Sequence, residues 1–156
     1  MAVDISAEIT RNWPETEAKL TAEPSVGYST QKTAAIARAK RDAYGTATIP
    51  AEASIPDAVA YWIADKATIY LIPLAKQYYA IHERVSDSKE NANFTYYNKV
   101  ALLDGLRKEL ETACAENWET VQDLVGASGD ADEIPAVSTD GMAIDPLARA
   151  GQRGPW

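Results

Sequence analysis

The chain is poor in the residues from which small-protein chemistry is usually built. It has one cysteine, Cys114, and one histidine, His82, in 156 residues. A single cysteine excludes an intrachain disulfide framework and any multi-cysteine zinc site. It also fits a reducing compartment. There is one phenylalanine and there are two methionines. Val and Ile seldom cluster, and no Asn-Gly or Asp-Gly turn joins alternating apolar runs, so strands have little to form from. Met1 to Thr10 has neither a basic n-region nor an apolar run, and it does not read as a secretory signal. The most apolar stretch, from Ala58 to Ile81, is interrupted by Asp65, Lys66 and Lys76, which argues against a bilayer crossing. These absences describe a soluble, intracellular protein that does not associate with membranes.

Positive charge is also scarce. Fifteen Lys and Arg stand against 23 Asp and Glu, for a formal net charge of −8. A protein that grips phosphates by summed positive charge has the opposite balance. An acidic wall is still compatible with surrounding DNA, because it gives a sliding polyanion no ion pairs to break. Hydrophobic residues make up 46% of the chain, enough for a packed core at this length.

The pattern predicts an all-α protein: a helical bundle built on a long antiparallel helical hairpin, with an extended C-terminal arm. Residues 1–126 form the helical domain and residues 127–156 the arm. Pro14 suits a helix N1 position, and Glu15 and Glu17 suit the first turn, so a short helix from Pro14 to about Ala22 follows. Pro24 and Gly27 end it. A second helix has Ser29 or Thr30 as its N-cap, many alanines, Arg38, Lys40 and Arg41 near its C-terminus, and Gly45 at its stop. Its small residues predict close packing with little core volume. The third helix opens at Pro56 and reaches about Arg84, with a stripe at Val59, Trp62, Ile63, Tyr70, Leu74, Tyr78 and Ile81. Pro73 predicts a kink near Ile69 to Pro73, without a break.

A polar turn, "SDSKENAN", separates it from a fourth helix expected from about Phe94 to Val125 and capped by Gly126. The stripe of that helix is Val100, Leu103, Leu106, Leu110, Ala113, Val121 and Leu124, with Asn117 as its one polar member. After Gly126 periodicity stops. Ala127 to Asp140 is acidic, whereas Pro146 to Trp156 has only Arg149 and Arg153 as charges. Isolated apolar residues spaced along the arm suit a chain laid across another surface. Ile144, Leu147, Arg149, Arg153, Pro155 and Trp156 are the candidate partner-binding residues.

Little here resembles catalysis. His82-Glu83 could be general acid–base machinery, but it reads better as the last turn of a helix. In a hairpin centred near Glu90, His82 lies opposite roughly residue 98, and Cys114 is on the order of 24 Å further along, too far for a Cys–His pair. Cys114 reads as a small core residue. "GDADEIPAVSTDG" has Ile134 and Pro135 where a calcium loop needs ligands and glycine, so it reads as a solvated linker. "ARAKR" has no interleaved aromatics, and an acidic neighbour is its expected partner before nucleic acid. No metal or cofactor site is expected, and the protein is expected not to be an enzyme.

Eight tyrosines and four tryptophans against one phenylalanine favour interfaces, because both side chains have an apolar body and a polar edge. Tyr78-Tyr79 and Tyr96-Tyr97 flank the hairpin turn. Half of each pair is core, and Tyr79, Tyr96 and Tyr97 are the candidates for contact between subunits.

The helix "IPDAVAYWIADKATIYLIPLAKQYYAIHER", a polar turn, and "TYYNKVALLDGLRKELE" opening the next helix resemble the head-to-tail adaptor (connector) proteins of long-tailed bacteriophages. The resemblance spans roughly Ser29 to Gly126, together with the presence of a C-terminal arm. It implies a ring of neighbouring adaptor subunits, usually of twelve, beneath the portal protein, with a stopper or other neck or tail protein below. DNA would pass through the channel without sequence-specific binding. The location implied is the virion neck, after assembly in the host cytoplasm, and the arm would dock on the portal. The alternative is a stand-alone α-helical binding or regulatory protein whose arm recognises a partner.

Overall fold

The computed structural model describes residues 2–82 and 89–130, with side chains for all of these except 89–96 and 128–130. Among the described residues there are five helices and no strand. The chain is all-α.

Helix α1 (Ile5–Asn12) is capped by Asp4, whose carboxylate accepts from the Ala7 amide at 3.0 Å. Its inner face places Ile5 and Ile9 fully out of solvent. Buried Trp13 makes the corner, and Pro14 starts α2 (Pro14–Ala22), where the missing amide proton costs nothing. A short 3-10 turn at Pro24–Val26 follows, and Gly27, with φ of 61°, leads into α3 (Tyr28–Tyr44). Helix α3 thus begins before Ser29 and Thr30, and neither caps it. The left-handed turn that only glycine enters cheaply fixes the start instead. Gly45, with φ of 57°, closes the helix and returns its amide to the Arg41 carbonyl. Ala35, Ala39 and Ala43, four residues apart, are the buried face of α3, so the helix packs closely and adds little volume.

Helix α4 (Asp57–His82) is the axis of the bundle and packs against α1, α3 and α5. Three neighbours require apolar residues on most of its circumference, which eleven of its twelve buried positions supply, Thr68 being the exception. Each fully buried Ile or Leu among them contributes roughly 1.5–3 kcal/mol. Pro73 is exposed inside the helix and does not break it. Helix α5 (Lys89–Asp130) is longer than the sequence pattern indicates at both ends. It runs through Gly126 without a positive φ, so Gly126 is not a cap and the boundary drawn there falls within a helix. Its seam against α4 is Leu103, Leu110, Cys114 and Val121, with Trp118 half-buried beside them. Asn117 is exposed and is not part of the seam.

Polar contacts fix how the helices sit. Asn12 Nδ2 donates to Asp65 Oδ1 and Thr68 Oγ1, both at 3.1 Å, and joins α1 to α4. Lys32 Nζ donates to Glu17 at 2.6 Å and to the Ser6 carbonyl at 2.9 Å, joining α3 to α2 and α1. Lys76 pairs with Asp104 across the hairpin. That register places residue 76 opposite 104, as a hairpin centred near Glu90 requires.

Candidate functional site

A cleft of about 560 Å³ lies between α3, α4 and α5 and is lined by Asp42, Trp62, Lys66, Tyr70, Glu111 and Trp118, among others. Trp62 Nε1 donates to the Cys114 carbonyl at 2.9 Å, and its ring meets Trp118 at 5.0 Å with a 35° tilt. The Arg38 guanidinium lies 3.9 Å over the Tyr70 ring, and the Tyr70 hydroxyl donates to Asp42. Lys66 sits 5.8 Å from the Trp62 ring and 5.7 Å from that of Tyr70. The cleft is therefore amphipathic, with aromatic walls whose faces meet cations of the same chain.

Two groups that line it, the Tyr70 phenol and the Cys114 thiol, are held in their neutral forms. Burial, followed by the Asp42 contacts, pushes the Tyr70 phenol up to about 12. Burial is also the main reason that the Cys114 thiol is pushed up to about 11, with the Asp65 charge adding to it. A thiol in that state is a poor nucleophile. His82 is remote from it, exposed, and stacked on Tyr78 at 4.4 Å. Burial raises the Asp65 carboxyl as well, against the Asn12 hydrogen bond, which lowers it. Among the described residues no three His, Cys, Asp or Glu side chains could hold a metal ion together. No helix among them is long and apolar enough to cross a membrane.

The interface candidates divide. Tyr79 is not a surface residue: it is fully buried, its hydroxyl lies 3.1 Å from Thr16 Oγ1, and Lys19 lies 5.2 Å from its ring. The end of α4 that carries Tyr79 is covered by α2, which supplies both Thr16 and Lys19. Tyr97 is 61% exposed and Leu102 67% exposed, both on α5. The Tyr96 side chain lies outside the described residues, as do Ile144, Leu147, Arg149, Arg153, Pro155 and Trp156. The basic cluster of α3 meets intrachain partners: Lys40 pairs with Glu52 at 3.1 Å, and Arg38 with the Tyr70 ring.

The outer face of α5 has a different character. Glu109, Glu116, Glu119 and Asp123 are all exposed, and among the described residues none of the four forms an ion pair. No Lys or Arg occurs between Lys108 and Arg149. Neither the acidic face nor the Trp62–Trp118 cleft has a local motif that announces it. The face follows from reading charge at seven-residue steps, and the cleft requires knowing that Trp118 turns inward.

No family model, curated protein or solved structure matches this chain.

Proposed function

We propose that the chain is a non-catalytic structural subunit of a bacteriophage head-tail connector. Copies form a ring below the portal, extend the DNA channel and join capsid to tail. The observation that carries this reading is the outer face of α5, where exposed carboxylates from Glu109 to Asp123 have no basic residue among them. Phosphates moving past such a face find no ion pair to make and none to break. A long, stiff α4–α5 hairpin supports the reading, as do exposed Tyr97 and Leu102, which offer apolar surface to a neighbour. The segment that follows α5 acts as the docking arm, with Arg149, Arg153 and Trp156 as anchors on the portal and Ile144, Leu147 and Pro155 between and before them. A stopper or tail protein binds the opposite side of the ring, in the neck of the virion.

The Trp62–Trp118 cleft favours a second reading, a stand-alone helical binding protein with an apolar groove for its ligand. Deleting Gly151–Trp156 separates the two. The connector reading predicts an unchanged helical signal and melting temperature, with loss of co-sedimentation with portal rings. Retained co-sedimentation contradicts the assigned role of the arm.

A further inference from the structure

Trp62, Lys66 and Tyr70 stand four residues apart, so α4 presents them in one line along the cleft it forms with α3 and α5. The Lys76–Asp104 pair and the Trp62–Trp118 contact set the same register of α5 against α4. That register puts Lys66 level with Cys114 and Ala115, which also line the cleft. Two small side chains cannot fill the space between the paired indoles at one end and Tyr70 and Glu111 at the other. The cleft of about 560 Å³ is the result, a size suited to a small organic molecule.

The charges that line it are not equally occupied. Among the described residues they are Asp42, Lys66 and Glu111. Asp42 accepts from the Tyr70 hydroxyl, beside the Arg38 guanidinium that lies over the same ring. Glu111 pairs with Arg107 at 2.7 Å. Lys66 differs from both. Its side chain is half-buried, with the ammonium 5.8 Å from the Trp62 ring and 5.7 Å from the Tyr70 ring. Among the described residues no carboxylate lies within ion-pair distance of it. Ring faces hold a cation in place but give its N–H donors no oxygen to bond. The group that this cleft is equipped to receive is therefore an anion. The Trp62 and Trp118 rings, 5.0 Å apart, leave no room for a third ring between them. A flat apolar body lies instead across Trp118 and Tyr70, which are both half-buried.

We infer that this cleft binds a small, flat aromatic carboxylate of one or two rings, with its carboxylate on the Lys66 ammonium and its ring against Trp118 and Tyr70. Aromatic walls lower the local polarity, so the ion pair is stronger there than on open surface. The inference rests on the reading of the cleft as a ligand groove, whose ligand class it names, and it does not involve the portal.

Titration of the full chain with 2-naphthoate, followed by indole NMR shifts, tests it. The Trp62 and Trp118 indoles move along one saturating isotherm, with a Kd of about 1 mM or tighter, as a two-ring ligand of ordinary efficiency reaches. The Trp13 indole, outside the cleft, stays in place. The neutral isostere 2-naphthamide binds about tenfold more weakly, because it lacks the charge-assisted hydrogen bond. Lys66→Gln brings naphthoate down to the naphthamide value and leaves naphthamide unchanged, whereas Lys66→Arg keeps the preference for the anion. Equal affinity of the wild-type chain for naphthoate and naphthamide overturns the proposal and leaves a groove without charge selection. A naphthoate affinity that survives Lys66→Gln overturns it as well. Tighter binding of 2-naphthylmethylamine also overturns it and gives the cleft to Asp42 and Glu111. No saturable shift of either indole with any of the three probes overturns the groove reading itself.

Discussion

Trp62 holds α4 to α5 through two distinct contacts. Its indole proton reaches the Cys114 carbonyl at 2.9 Å, and its ring packs on Trp118 at 5.0 Å. Trp62→Phe keeps an aromatic ring but removes the donor and part of the stack. The expected loss is about 1–3 kcal/mol, read as a lower urea midpoint with an unchanged slope. Cys114 behind it gives a second measurable consequence. Its pKa is raised from 9.0 to about 11, so the fold favours the neutral thiol. The resulting stability is present in full below about pH 9 and is lost as pH rises toward 11. Wild-type stability therefore falls across that window, and Cys114→Ala flattens the fall. At pH 9 the native thiol reacts with iodoacetamide about fiftyfold more slowly than the unfolded one, since only the thiolate attacks.

Among the elements, α4 shows how a rule of local structure yields to packing. Pro73 removes a backbone hydrogen bond in mid-helix, yet α4 runs unbroken from Asp57 to His82 because α1, α3 and α5 hold it on three sides. Pro73 is exposed, so replacing it leaves the core untouched. Pro73→Ala is expected to stabilise the protein by about 1–3 kcal/mol, measured as a higher melting temperature. The same competition decides which features the sequence announces. Pro14 and Gly45 act locally, and both mark helix ends where their chemistry implies. Gly126 carries the same signal, but α5 continues through it, because a glycine cap is a preference that a continuing helix overrides. Helical periodicity also leaves neighbouring positions nearly equivalent. Asn117 and Trp118 both fit the stripe of α5, and only the Trp62 ring opposite determines that Trp118 turns inward. Tyr79 is buried for a similar reason, since the helix that covers it is distant in sequence. The acidic row on α5 was open to a charge count, whereas the aromatic cleft depends on three helices meeting.

For the whole molecule, the described residues form one bundle around α4, with α5 as its longest rod at about 63 Å by helical rise. One face of that rod is committed to the core and the other presents carboxylates. This division gives the connector proposal its physical content: a stiff element with one side for packing and one side that repels a polyanion. The central claim is assembly with a portal, and it is tested most directly by light scattering on the purified chain, alone and mixed with portal rings. The account predicts a defined complex with many copies of the chain per portal ring, seen as an added ring below the portal by cryo-electron microscopy. A chain that stays monomeric in the mixture and never co-elutes with the portal contradicts it.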